Sequence, residues 1–115
     1  MALPKKNRLS LKKDIDNVFK RGGTVKGSSL FIKLIDNGSN CSRFAFILPA
    51  KHISLATERN RVKRIFSEEI IKNQRLLNRG YDVVISVFKK IDKSRFVFLA
   101  QELIETMARI EAIKK

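Results

Sequence analysis

Apolar positions along this chain recur with two different periods, and each switch of period marks an element. From Ser10 to Lys20, Leu11, Ile15, Val18 and Phe19 fall at i, i+4, i+7 and i+8, one stripe on a short helix. Ser10 stands where an N-cap hydroxyl is useful. Gly22-Gly23 after Lys20-Arg21 provides the stop, with cations near the last carbonyls and a glycine for a left-handed turn. Beyond a Gly/Ser-containing stretch (Val25 to Ser29), Leu30 to Ile35 reads as a strand, closed by the turn signal Asp36-Asn37-Gly38-Ser39-Asn40. Arg43 to Leu48 is again short and apolar, and the brief connection predicts that these two strands form an antiparallel hairpin.

The period then becomes helical. Val62, Ile65, Phe66 and Ile70, with Ile71 beside them, predict a central helix from Thr57 or Glu58 to about Leu77, broken by Asn78-Arg79-Gly80. Tyr81 to Phe88 is almost continuously apolar and β-branched, a strand buried on both faces with parallel neighbours expected. From Ser94 to Ile113 a long amphipathic helix closes the chain, with Val97, Ala100, Leu103, Ile104, Met107 and Ile110 on its apolar side. The order is helix, two or three strands, helix, strand, helix: an α+β domain with helices packed on a mixed sheet.

At 115 residues and 43% apolar content the chain suits one compact core, so residues 1–115 are expected to form a single domain. No apolar run approaches the roughly 18 to 20 residues that span a bilayer, and the opening Met-Ala-Leu-Pro-Lys-Lys-Asn-Arg has no apolar segment after its charges. A cytoplasmic setting is expected, consistent with the single Cys41.

Charge changes the picture most. Against 11 Asp+Glu stand 25 Lys+Arg, a formal net charge of +14. Self-repulsion of that size disfavours the compact state, and a polyanionic partner relieves it. The densest cluster is Arg59-Asn60-Arg61-Val62-Lys63-Arg64, at the start of the central helix. Cations there typically cost about 0.3 to 1 kcal/mol each against the helix dipole. Arg59 and Lys63 also repel at i, i+4. Most charge runs are merely solvated faces, but helix stability would not choose this one, whereas guanidinium forks beside exposed amides make a phosphate site.

Rings and cations alternate elsewhere: Lys12, Lys13, Phe19, Lys20 and Arg21 on the first helix, Phe31 and Lys33 on the next strand, Arg43, Phe44 and Phe46 after it. Single-stranded nucleic acid is held by such arrangements. A phenylalanine in a small domain is ordinarily core, Phe66 above all, and only a strand face left uncovered by helices would free one for bases. The carboxylates suggest no metal set, and one histidine, His52, cannot serve as both acid and base. No protein-based chemistry is expected.

Ala56-Thr57-Glu58-Arg59-Asn60-Arg61-Val62-Lys63-Arg64 resembles the signature helix of the bacterial ribonuclease P protein subunit. Leu3-Pro4-Lys5-Lys6-Asn7-Arg8-Leu9 with Asp14, Val18, Phe19, Lys20 and Gly22 resembles that family's N-terminal segment and first helix, and Pro49-Ala50-Lys51 and Tyr81-Asp82-Val83-Val84 its later strands. The resemblance implies a two-layer α/β sandwich of order α-β-β-β-α-β-α, with a left-handed βαβ crossover of the kind found in a ribosomal-protein domain. It implies a subunit of an endoribonuclease that binds ribonuclease P RNA and the 5′ leader of precursor tRNA. The RNA with its Mg²⁺ ions performs the cleavage that leaves the mature 5′ end, and dimerisation of the holoenzyme is left open. Arg59, Asn60, Arg61, Lys63 and Arg64 would then face the catalytic RNA, and Lys12, Phe19, Phe31, Lys33 and Lys51 the leader. Ile15 and Lys33 stand where the family often carries aromatics, and Lys51-His52 and Ser54-Leu55 replace its usual Lys-Lys and Gly-Asn.

Two other readings compete. A generic RNA-binding or ribosomal protein shares the charge but would not affect precursor tRNA cleavage. A protein of anionic membrane surfaces would need a free apolar helix face, and those faces are required for the core.

Overall fold

A computed structural model of the chain, describing residues 3–73 and 80–114, contains three helices and one four-stranded sheet. In chain order these are α1 (Lys12–Arg21), β1 (Gly23–Lys26), β2 (Leu30–Asp36), β3 (Arg43–Ile47), α2 (Ala56–Lys72), β4 (Tyr81–Val87) and α3 (Phe96–Lys114). The expected continuation of α2 to Leu77, and Asn78-Arg79, lie outside the described residues.

The sheet order is β1-β2-β4-β3. The hairpin expected between Leu30–Ile35 and Arg43–Leu48 is therefore not present: β4 lies between them. It pairs antiparallel with β2 (Leu30 opposite Val87) and parallel with β3 (Phe44 opposite Val83). The antiparallel hairpin is instead β1–β2, with Lys26 opposite Phe31. Asp36–Asn40 does turn the chain, through Asp36 Oδ1 accepting from Gly38 N and Asn37 Oδ1 from Ser39 N. The turn reaches over the start of β4 to the far side rather than returning alongside. Gly80 makes this passage possible, with φ +80 and a bare α-carbon whose added Cβ would sit 1.9 Å from Ser39 O.

One sheet face carries the main core. Leu30, Ile32, Leu34, Val83, Ile85 and Val87 meet Val62, Phe66 and Ile70 from α2 and Phe96, Leu99, Leu103 and Met107 from α3. Each fully buried side chain of this kind contributes about 1.5 to 3 kcal/mol relative to exposure. Phe66 is fully buried, as its place in the stripe predicts. In α3 the stripe is rotated from the expected one: Phe96 and Leu99 are buried, while Val97 is 70% exposed.

The helix α1 crosses the opposite face, and Val18 packs with Ile15 against Val84, Ile35 and Ala45. Its N-cap is Leu11 without a side-chain bond, so Ser10 does not serve. Gly22 is extended (φ −77°, ψ 153°), not left-handed. Its glycine is required by close approach, since a Cβ would lie 2.5 Å from Val18 O and 2.8 Å from Leu34 O. At its other end α1 is tied to β3, where Asp14 meets Arg43 at 3.5 Å. Arg43 in turn grips the buried Asp82 with two bonds (2.8 and 2.6 Å), and Asn37 donates to the same carboxylate. Among the described residues no helix is long and apolar enough to cross a membrane.

Candidate nucleic-acid interface

Because α1 runs diagonally from Arg43 to Leu34, it covers the Asp82 end of its sheet face and leaves the other end open. At that end the row Lys26–Phe31–Ser86–Ile47 runs straight across the strand register, with Lys26 exposed, Phe31 half-buried, Ser86 buried and Ile47 packed on the α1 side. Alternation in β2 buries Leu30, Ile32 and Leu34 and turns half-buried Phe31 and Lys33 toward this face. Phe31 lies against Phe88, ring centroids 6.2 Å apart. Lys26 Nζ sits 4.6 Å from the Phe88 centroid, and Lys89 Nζ 5.7 Å from it. One row inward, Lys33 Nζ donates to Thr24 Oγ1 (2.8 Å) and stands 5.8 Å from the ring of Phe19, which is 37% exposed on α1. Rings and cations on a partly open strand face are the arrangement by which bases and phosphates are generally held.

Several expected contributors separate here. Phe19, Phe31 and Lys33 come together, whereas Lys12 begins α1, about 10 Å along the helix from Phe19. Lys51 is exposed in the loop leaving β3, at the same end of the sheet as Phe31. Ile91 N donates to His52 O, joining that loop to the segment after β4. The ring–cation pattern of β3 does not form a binding face: Phe44 is buried, Phe46 packs on Phe66 at 5.6 Å, and Arg43 is committed to Asp82. Ile15, standing where the family often has an aromatic, is packed beneath α1. Phe88, Lys26 and Lys89 were not singled out from sequence, although Phe88-Lys89-Lys90 at a strand end carries the same ring-then-cation signal.

The cation-rich start of α2 lies beyond β3 at this same end of the sheet, the strand order and the loop of residues 48–55 bringing it there. Arg59 is turned back onto that loop, Nη1 donating to Ile53 O (2.8 Å) and Ser54 O (2.9 Å), so it also holds the helix entry. Asn60, Arg61, Lys63 and Arg64 are exposed. Among the described residues none of those three cations has a salt bridge. At 100° per residue, Asn60 and Arg64 share one line, Lys63 turns toward Phe46 and Ser67, and Arg61 toward Lys93 and Val97. So wide a fan of cations does not converge on a single point.

An α/β domain with an open face of rings and cations beside an unpaired cationic helix is a nucleic-acid-binding protein. The family model described as Ribonuclease P matches residues 3–111. The ribonuclease P protein component of Syntrophomonas wolfei is 31% identical over 107 residues, covering 93% of this chain and 89% of that protein. The chain belongs to the ribonuclease P protein family, components of a tRNA-processing endoribonuclease whose partner is RNA. The RNase P protein from Thermotoga maritima superposes with a TM-score of 0.75 at 27% identity, over 89% of this chain and 96% of that one. The Staphylococcus aureus RNase P protein, 16% identical, gives a TM-score of 0.82 over 92% of this chain and 96% of that one, which supports the fold.

Proposed function

We propose that this chain is the non-catalytic subunit of a ribonuclease P whose RNA performs the chemistry, and that it holds the 5′ leader of precursor tRNA on its open sheet face. The observation that carries this reading is the half-covered sheet: Phe19, Phe31 and Phe88 offer rings while Lys26, Lys33 and Lys89 stand within cation–π range of them. Bases stack there and the backbone follows the cations, without a demand for particular bases. Asn60, Arg61, Lys63 and Arg64 take phosphates of the catalytic RNA. One domain thereby bridges enzyme RNA and substrate, and orients the leader relative to the cleavage site.

Among the described residues no group of three His, Cys, Asp or Glu could hold a metal ion. On this reading the Mg²⁺ ions belong to the RNA. The protein's effect on them is indirect, through the neutralisation of phosphate repulsion that otherwise raises the Mg²⁺ requirement.

The test is cleavage of precursor tRNA by a bacterial ribonuclease P RNA at limiting Mg²⁺, with and without the chain, beside protein alone. Stimulation only in the presence of the RNA is expected. RNA binding without stimulation, or cleavage by protein alone, overturns the reading. Replacing Arg61, Lys63 or Arg64 by Ala should reduce the salt-dependence slope of RNA binding by a little under about one unit per phosphate contact. An unchanged slope for all three removes α2 from the interface.

A further inference from the structure

A second ring-and-cation site lies around the edge of the sheet. Between the β1–β2 turn, the segment after β4 and the first turns of α3 is a depression of about 490 Å³. Its walls include Ser28, Lys89, Lys90, Arg95, Phe98 and Gln101. Phe98 is the unusual member: it is 59% exposed on a helix whose neighbouring Phe96 and Leu99 are buried. The Arg95 guanidinium stands 5.9 Å from its ring. Lys89 and Lys90 are exposed on the opposite rim.

The depression adjoins the open sheet face. Lys89, which lines it, also lies over Phe88, and Phe88 N donates to Ser29 O beneath. The two carboxylates in the wall are engaged: Glu102 accepts from Ser28, Ser29 and Leu30, and Glu105 accepts from Gln101 Nε2 at 3.0 Å. They keep a phosphate away from the α3 wall and toward Lys89, Lys90 and Arg95, while the ring of Phe98 remains free for a base.

We infer that the leader track continues past Phe88 into this depression, where Phe98 stacks an unpaired base of a longer precursor leader and Lys89, Lys90 and Arg95 hold its phosphate. This rests on the sheet face being the leader site. Charge complementarity selects the occupant, because an apolar peptide would leave three cations unsatisfied, whereas a nucleotide matches both the ring and the cations.

The experiment measures affinity of the holoenzyme, reconstituted with a bacterial ribonuclease P RNA, for precursor tRNAs whose leaders are lengthened one nucleotide at a time. Wild type, F98A, K89A/K90A and F19A are compared, with thermal melts to show that each variant is folded. F98A is expected to match wild type on short leaders and to lose roughly 5- to 100-fold on leaders long enough to reach it, the range for one base–aromatic stack. K89A/K90A, because Lys89 also serves the sheet face, should lose affinity at every leader length and a further increment on leaders long enough to reach Phe98, with a shallower salt dependence. Equal loss by F98A at every length, or none at any length while F19A is impaired, overturns the inference and leaves the sheet-face reading standing. Wild-type affinity independent of leader length, with F19A unimpaired, overturns both.

Discussion

Glu102 connects α3 to the hairpin that carries the proposed leader face, and its removal measures how firmly that face is held. Its carboxylate accepts from Ser28 Oγ (2.9 Å), Ser29 Oγ (2.7 Å), Ser29 N (3.0 Å) and Leu30 N (2.9 Å). Arg109 adds a bond to Lys26 O at 3.0 Å on the same hairpin. Hydrogen bonds to a charged group contribute about 1.5 to 3 kcal/mol each. These four share one carboxylate, and at a partly exposed turn water replaces some of what is lost, so they do not add. Glu102→Ala should cost about 2 to 3 kcal/mol, lowering Tm by roughly 10 °C in a domain of this size. Glu102→Gln, which keeps one acceptor oxygen, should lose about half as much.

The pH dependence follows from the same bonds. Burial pushes the Glu102 carboxyl up, but the hydrogen bonds from Ser29, Ser28 and Leu30 together outweigh it and hold the group below the usual glutamate range. A folded-state value below the unfolded one means stability that is complete above the unfolded value and lost as pH falls through the folded one. The gap between wild type and Glu102→Gln should therefore narrow below about pH 4. Melts followed by circular dichroism from neutral pH downward, with leader binding measured in parallel, check both parts. A Glu102→Ala melt within about 2 °C of wild type, or a gap that persists once the carboxyl is protonated, refutes the reasoning.

Other substitutions probe the rest of the frame. Gly80→Ala should cost more than about 3 kcal/mol, since its Cβ meets Ser39 O at a positive φ, whereas Gly38→Ala, at φ +74 but in open space, should cost only about 1 to 2; equal urea midpoints would show that the close approach does not matter. Asp82→Asn breaks the two-bonded contact with Arg43 and should cost about 2 to 3 kcal/mol in urea unfolding, less than a wholly buried pair because Arg43 is 35% exposed. Phe19→Ala should lower affinity for leader-bearing substrate while costing under about 1 kcal/mol of stability; a large drop in Tm instead would make Phe19 a core residue.

The elements were legible in the sequence wherever one period dominated, and the candidate site drew notice where charge defied helix energetics. Val62, Phe66 and Ile70 determined the buried face of α2, and the cations beside them drew attention for what they cost. In α3 the run Phe96-Val97-Phe98-Leu99 is apolar on every side of the first turn, so periodicity could not choose a face, and Val97 was placed inward while Phe96 was missed. β1 has one apolar residue, Val25, and only its pairing with β2 makes it a strand. The hairpin expectation failed because a turn signal reports that the chain bends, not what lies beside it afterwards. Phe31 and Phe44 are alike in local sequence. Which one stays partly open depends on α1 and α2 lying on opposite faces, a fact set by contacts far apart in the chain.

The insertion of β4 between β2 and β3 also orders events during synthesis. The β1–β2 hairpin and β3, bridged on its outer side by Leu9 N donating to Phe44 O, are two half-sheets that do not touch. They remain apart until residues 81–87 emerge and fill the slot, pairing Leu30 with Val87 and Phe44 with Val83. Until then each half-sheet exposes an unpaired apolar edge, the condition in which nascent chains aggregate or wait for a chaperone. Closure is thus non-local, and its loop-closure entropy must be paid before the central pairing rewards it. A ribosome stalled before β4 would hold a chain with the signature helix already synthesised but no sheet on which to seat it.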